Sequence, residues 1–233
     1  MKLFRLVLLV CVLGSSLRVW ADDWQTALSN MPLTTPTTEL NRTNCVSLLL
    51  DSFQPNGTVK ALIFMPGATD EIYFFRRVHV SLNVTNPTLL EAVVALTNQT
   101  YIEADFRPPF LILHTTEDSL DVIGKINSQT TAAKLQEKIL AGHIIFNDTD
   151  WDGVVGAIGK RMDIGLRPRP GSPDSWHFYR HSFAAGNLTD WEMLEALALA
   201  GKTTFTVNWL TADFVPDARE GTPSKLEYSP LGK

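Results

Sequence analysis

The stretch Asn187-Leu188-Thr189-Asp190-Trp191-Glu192-Met193-Leu194-Glu195-Ala196-Leu197-Ala198 has the features of a capped amphipathic helix between two β-type segments. A second version begins at Asn147 and continues Asp-Thr-Asp-Trp-Asp-Gly-Val-Val-Gly-Ala-Ile, and a more distant version begins at Asn83. In each version, apolar residues recur every three to four positions after a polar start. This recurrence predicts a small repeated unit in which one helix packs on a sheet.

The first and third versions keep a common register when Glu91 is aligned with Glu195, 104 residues later. In that register Tyr73-Phe74-Phe75-Arg76-Arg77 faces His177-Phe178-Tyr179-Arg180-His181, so aromatic and arginine positions coincide. Each unit is predicted to run from a strand through an N-capped turn to a helix and two further strands. The predicted fold class is therefore α+β, made of tandem small strand-helix-strand-strand units.

The units divide the rest of the chain into segments. A strand region is predicted over Glu71–Val84, and the connector 119–142 is predicted to form two short helices. Polar composition after Leu210 predicts a loose tail from about Asp217. The predicted organisation is a leader (1–21), N-terminal helices and a strand (22–72), the first unit (73–118), the helical connector (119–142), the second and third units (143–216) and the tail (217–233).

The first 21 residues have the pattern of a signal peptide. Lys2 and Arg5 form a positive start, Leu6–Leu13 is an apolar core too short to span a bilayer, and Val19-Trp20-Ala21 suits cleavage after Ala21. Cleavage would change the net charge from −5 to −8, because Lys2, Arg5 and Arg18 are lost. We therefore expect a secreted or periplasmic, acidic protein without membrane insertion and without a nucleic-acid partner.

Cysteine and asparagine usage give opposite indications about the source. Cys45 is the only cysteine after the predicted cleavage site, so no intramolecular disulfide can form, which favours bacterial export. Six Asn-x-Thr sequons favour a glycosylated eukaryotic protein; they begin at Asn41, Asn56, Asn83, Asn98, Asn147 and Asn187. Three of them precede predicted helices, where Asn, Thr and Asp serve as N-caps. We expect a bacterial envelope protein, with capping as the role of those three sites.

One repeat unit resembles a known domain. The segment Val80-Ser81-Leu82-Asn83-Val84, followed by Thr88–Leu96 and Gln99-Thr100, is similar to the short N-terminal domain of secretins and TonB-dependent receptors. Leu194-Glu195-Ala196-Leu197 in the third unit matches the same helix pattern. The resemblance implies a small periplasmic unit that contacts partner proteins or neighbouring subunits. Gln99 stands where the pattern has glycine, and no barrel or pore segment follows.

An enzymatic alternative rests on a different likeness. Pro109–Asp118 resembles the late strand of an α/β-hydrolase, in which Asp118 would orient a catalytic histidine, and Ala61–Gly67 resembles the early strand. That family needs a Gly-x-Ser-x-Gly nucleophile elbow between the two strands. The only serine between them is Ser81, flanked by Val80 and Leu82, so the elbow is missing and no catalytic residue is predicted.

Two possible metal sites are disfavoured by spacing. His177 and His181 are four residues apart on a predicted strand, roughly 13 Å from one another, which is too far for one zinc ion. We expect both to be exposed strand histidines. The spacing of Asp148, Asp150 and Asp152 resembles a calcium loop, but Gly159 stands where the bidentate glutamate is needed. No metal or cofactor is predicted.

The best candidates for a recognition surface are the aromatic and arginine residues of the two matching segments, because such side chains contribute strongly to binding. They are Tyr73, Phe75, Arg76, His177, Tyr179 and Arg180. Alternatively, the aromatics line the core and the arginines face water. We predict a non-catalytic protein-interaction module that binds another envelope protein, or itself, through these strands or a sheet edge. A hydrolase-like enzyme and a structural envelope protein are the alternatives.

Overall fold

The computed structural model describes residues 24–65, 75, 77–115, 120, 124–126, 129–137, 139–159, 161–162, 164–168, 180–208 and 211–216. Residues 24–29 form helix α1. The other helices are α2 (Cys45–Ser52), α3 (Leu89–Gln99), α4 (Gln129–Glu137), α5 (Trp151–Ile158) and α6 (Asp190–Gly201). The strands are β1 (Glu39–Asn41), β2 (Ala61–Phe64), β3 (His79–Ser81), β4 (Ile102–Arg107), β5 (Phe110–Thr115), β6 (Gly124–Ile126), β7 (Ile139–Asp150), β8 (Gly165–Pro168), β9 (Arg180–Thr189), β10 (Thr203–Asn208) and β11 (Thr211–Pro216). The predicted α+β class is confirmed.

A five-stranded mixed sheet forms the centre, in the order β4-β5-β2-β9-β7. Strand β2 is parallel to β5, and the other neighbouring pairs are antiparallel. Every residue of β2 and β5 is buried, because both faces of the sheet are covered. Continuous apolar strands are expected in that situation. Strand β2, from the predicted N-terminal segment, lies between strands of the first and third units, so these segments share one sheet.

Alternate residues of the central strands feed two hydrophobic cores. Leu62, Phe64 and Leu111 face the first core with α2, α3 and the two-stranded β1–β3 sheet. Ile63 and Phe183 face the second core with α5, α6 and a four-stranded sheet ordered β6-β10-β11-β8. Period-two alternation thus separates two buried faces rather than one buried face from one wet face. Among the described residues, no helix has the length and apolar character needed to cross a membrane.

The helices of the three predicted units are α3, α5 and α6, and Thr or Asp side chains cap their starts, as these residue types predicted. The predicted asparagines do not form the caps. Thr88 and Thr189 form capping boxes with Glu91 and Glu192, and Asp150 accepts a hydrogen bond from the Gly153 amide. Thr and Asp side chains bond the free amides of the first turn here. Glu91 therefore corresponds to Glu192 rather than Glu195, so the 104-residue register is wrong at the helix start by three residues.

Several predicted elements differ from the structure. Phe75 and Arg77 are helical, so the described part of the predicted strand Glu71–Val84 contains only β3, and residues 71–74 and 76 lie outside the described residues. In the connector, helix α4 is confirmed, but residues 124–126 form strand β6, parallel to β10. The pairing with β10 also makes a strand of residues 211–216, just before the predicted tail. The three predicted units use different strand partners, and the repeat itself stays a prediction.

Candidate binding cleft

An open cleft of about 280 Å³ lies at one end of the strands of the central sheet, where β2 ends and β9 begins. Five pieces of chain form it: the start of α2, the end of β2, the turn with Phe75, and the adjoining parts of β7 and β9. The lining residues are Arg42, Thr43, Val46, Ser47, Phe64, Phe75, Asn147, Asp148, Arg180 and Ser182. Two arginines and one aspartate are the charged groups among them, so the cleft carries a positive excess.

The first wall is the start of α2, whose amide groups lack a side-chain cap. Asn44 occupies the capping position, but its side chain accepts a hydrogen bond from the Asn41 amide at 2.8 Å and donates to the Glu39 carbonyl at 3.2 Å. The first turn of α2 contains no acidic residue. The partial positive charge of this helix end is therefore not opposed by a carboxylate of its own turn.

The second wall is an irregularity in β7. The β7–β9 register shifts between Phe146 and Thr149, and Asp148 has a φ of 50°, in the left-handed region that Asn and Asp tolerate. The Arg180 Nη1 donates to the Asp148 carbonyl at 2.9 Å, and the Asp148 amide donates to Ser182 Oγ at 3.0 Å. The bulge thus holds the exposed Arg180 side chain against the cleft wall.

The floor of the cleft is aromatic. The rings of Phe64 and Phe75 meet edge to face, with centroids 5.0 Å apart, and both side chains are buried. Edge-to-face pairs of this kind are favoured by the ring quadrupoles. Above this floor, Ser47 and Thr43 supply hydroxyl groups. The cleft therefore combines an apolar base with cationic and hydroxyl-bearing walls, a combination found in sites that bind one polar group attached to an apolar body.

Of the six predicted binding residues, Phe75 and Arg180 both line this cleft. Phe75 contributes from a helical turn rather than a strand, and it lies in the floor, while Arg180 stands exposed at the wall. Tyr73, Arg76, His177 and Tyr179 lie outside the described residues. The sequence prediction missed Arg42 and Ser182, because nothing in the local pattern near either residue marks it as close to Phe75.

The prediction that His181 is an exposed strand histidine is wrong. His181 is buried on β9, against the Trp151 ring at a centroid distance of 5.6 Å and against Gly201. Burial lowers its pKa to about 4, and the adjacent Thr149 backbone opposes this shift. Neither ring nitrogen makes a hydrogen bond of ordinary geometry to the described residues. His181 is thus a neutral core residue, because both faces of β9 are covered.

Metal-binding groups are not assembled in the described part of the chain. No set of three His, Cys, Asp or Glu side chains lies there in a position to hold an ion. Asp150 serves as the cap of α5, and Asp148 belongs to the bulge. Cys45 is buried, and burial raises the pKa of its thiol to about 12, so it remains protonated at neutral pH.

The strands of the hydrolase likeness are β2 and β5, which are direct parallel neighbours. Asp118 lies outside the described residues. The buried His114 on β5 makes a 2.9 Å contact from Nε2 to Asp105 Oδ2 and a 2.7 Å contact from Nδ1 to the Thr115 carbonyl. Both ring nitrogens therefore contact oxygens of the β4–β5 pair rather than a nucleophile.

Comparisons with known proteins add no relative: no protein-family model, no curated protein and no solved structure matches this chain. The resemblance to the secretin and TonB-receptor domain stays a prediction.

Proposed function

We propose that this chain is an exported, non-catalytic interaction protein, and that the cleft takes an acidic side chain or chain terminus of a partner protein. The observation that carries the proposal is the joint placement of Arg42 and Arg180 on the rim of a cleft with a Phe64–Phe75 floor. Arginine and aromatic side chains in one partly open pocket are typical of the residues that dominate protein interfaces.

The charge pattern favours a carboxylate as the group that enters. Arginine binds carboxylates through two parallel hydrogen bonds, and the start of α2, which also lines the cleft, has neither a side-chain cap nor an acidic residue to oppose its partial positive charge. The Asp148 carboxylate is the single negative group of the lining, and its backbone already accepts from Arg180. A carboxylate linked to an apolar side chain would satisfy both the walls and the floor. The predicted bacterial envelope is one setting for such a partner, and the binding chemistry does not depend on it.

Photo-cross-linking in the native source tests the proposal. In one variant, a photo-reactive amino acid replaces Ser47 in the cleft. In a second variant of the same chain, it replaces Glu137, which is exposed on α4. We expect one specific adduct from position 47 and none from position 137. Arg180→Glu should abolish the adduct, because it places a negative charge beside the incoming carboxylate.

The matched control for this variant is Arg167→Glu, which makes the same charge change at an exposed residue of β8. It should leave the adduct intact. Circular dichroism of both variants verifies that the fold is retained. An adduct that persists in Arg180→Glu, or equal adducts from positions 47 and 137, would contradict the cleft as the binding site.

A further inference from the structure

The chain has an excess of sequons. It contains 11 asparagines, and six of them begin an Asn-x-Thr sequon in which x is not proline. With 36 serine and threonine residues among 233, composition alone would supply about two sequons. The structure removes the capping explanation for the Asn83 and Asn147 sequons, because the caps of those helices are Thr88 and Asp150, whereas Thr189 of the Asn187 sequon does cap α6. The excess therefore needs another explanation.

Three sequon asparagines have structural roles of their own. Asn41 Oδ1 accepts from the amide and hydroxyl of Thr43, and Asn56 Oδ1 accepts from the amides of Thr58 and Val59. Asn187 has a φ of 56°, a conformation in which asparagine is several-fold enriched. A turn or a left-handed backbone thus accounts for an asparagine at each of these positions.

Asn147 lines the binding cleft. Asn83 and Asn98 have no such role. Both are exposed, and neither side chain makes a hydrogen bond to the described part of the chain. They lie on the two rims of one groove of about 460 Å³, between the segment after β3 and the outer face of α3. Gln99 joins the rims, since its side chain donates to the Ser81 carbonyl at 2.9 Å and accepts from the Ser81 amide at 3.0 Å.

The surface between the two asparagines is apolar and open. Val84 and Val94 are 40% and 45% exposed, and Leu90 is half-buried beside them. Within the described residues, Val84 and Val94 are two of only five large hydrophobic side chains that are exposed. Concentration of exposed apolar side chains in one place indicates that something covers them.

We propose that Asn83 and Asn98 are N-glycosylation sites, and that their glycans cover this groove. A sugar presents the C–H groups of one ring face to aliphatic and aromatic side chains while its hydroxyls remain in water. Two glycan chains anchored on opposite rims can therefore cover Val84 and Val94 without a protein partner. This proposal goes beyond the proposed binding function and rests on the predicted export signal.

The modification is a balanced group transfer that needs a lipid-diphosphate-linked oligosaccharide as donor. The asparagine amide nitrogen attacks the anomeric carbon and forms a C–N bond, while the C–O bond to the diphosphate breaks. The lipid diphosphate leaves with the electron pair, and the nitrogen loses one of its two protons. Exported eukaryotic proteins receive sugars at Asn-x-Thr in this way, so occupancy would move the protein from the predicted bacterial envelope to a eukaryotic secretory pathway.

Mass spectrometry of the protein purified from its native source tests the assignment. Peptide-N-glycosidase in heavy-oxygen water converts each occupied asparagine into a heavy aspartate, and tandem spectra locate the conversion. We expect conversion at Asn83 and Asn98. Asn83→Gln and Asn98→Gln should each remove one glycan, while Asn86→Gln should remove none, because Pro87 follows Asn86 and prevents transfer. Unconverted Asn83 and Asn98 in the wild-type protein would overturn the proposal.

A second measurement tests the covering role. Enzymatic removal of the glycans should increase fluorescence of a dye that binds apolar surface, and Val94→Ser should suppress the increase. Unchanged dye binding after deglycosylation would refute the covering role. Occupancy of Asn147, which lines the binding cleft, would instead count against the proposed binding function, since a glycan there would fill the cleft. The two proposals can therefore fail separately.

Discussion

Glu195 and His181 are two partly or fully buried ionisable groups with opposite effects on the pH dependence of stability. Burial raises the pKa of Glu195 from 4.5 to about 7; the Trp191 indole, 2.8 Å from Oε1, opposes the rise, and the charge of Glu192 adds to it. The folded state binds the proton of the Glu195 carboxyl more tightly than the unfolded chain does. The free energy of unfolding therefore decreases as pH rises from 4.5 through 7. At about 1.4 kcal/mol per pH unit, the loss is at most about 3 kcal/mol.

His181 has the opposite effect on the pH dependence of stability. Its folded pKa of about 4 lies below the ordinary value of 6.5, so the unfolded chain takes up a proton that the native protein refuses. Stability is lost as pH falls from 6.5 towards 4, again by about 3 kcal/mol. Between about pH 4.5 and pH 6.5 the two changes amount to about 2 kcal/mol each and cancel. These two groups together should leave the wild-type free energy of unfolding nearly constant in this window.

Replacement of Glu195 by glutamine removes one of the two contributions. Glu195→Gln keeps an oxygen for the Trp191 hydrogen bond but cannot ionise. The effect of His181 on the pH dependence of stability is then no longer cancelled. We expect the variant to equal wild type near pH 4.5 and to exceed it by about 2 to 3 kcal/mol near pH 7. Its own stability should rise by about 2 kcal/mol between pH 4.5 and pH 6.5.

Urea unfolding followed by tryptophan fluorescence measures these free energies at four pH values. Glu137→Gln is the matched control, because Glu137 is exposed on α4, and it should follow wild type throughout. Equal stability of Glu195→Gln and wild type across the whole range would refute burial as the cause of the raised pKa of Glu195. A wild-type stability that falls steeply between pH 6.5 and pH 4.5 would show that the cancellation does not occur.

Three further predictions concern other parts of the fold. Lys60→Met breaks the 3.0 Å ion pair between Lys60, which directly precedes β2, and Glu192 at the start of α6. Urea unfolding should show a loss of about 1 kcal/mol, and no loss would refute a stabilising pair. Gly186→Ala would place a methyl group 2.7 Å from Pro55 Cγ, so a loss of about 1–3 kcal/mol is expected, whereas Gly57→Ala, which meets open space, should lose far less. Cys45 should resist a thiol reagent in the native protein at neutral pH and react in urea, because burial keeps it a thiol; rapid native labelling would contradict this.

The parts of the fold that the sequence predicted well are those in which local signals agree. Thr189 followed three residues later by Glu192 marks the start of α6, and an apolar stripe extends through the helix. The continuous apolar runs of β2 and β5 likewise match strands that are buried on both faces. In these segments, residue types and spacing constrain the backbone before any distant contact forms.

Strands β6 and β11 could not be predicted in the same way. Gly124–Ile126 is too short to show a period, and Thr211–Pro216 contains a proline and an aspartate, which are depleted in strands. Both become strands because β10 lies between them and offers its two edges. At Gly124–Ile126, pairing with β10 therefore replaces the first of the two helices predicted for the connector.

The candidate cleft was harder to predict, because strand ends rather than strand patterns create it. Arg42 and Arg180 are far apart in sequence, and they line one cleft only because Phe64 pairs with Ser182 while α2 packs over the same end of the sheet. Within the central strands, layers on both faces bury even a histidine, so alternation carries no information about exposure. Side chains of this sheet can reach a ligand where the covering layers stop, and Arg180 is the first residue of β9. For a sheet covered on both faces, candidate binding residues are therefore better sought at strand ends and bulges than along the strands.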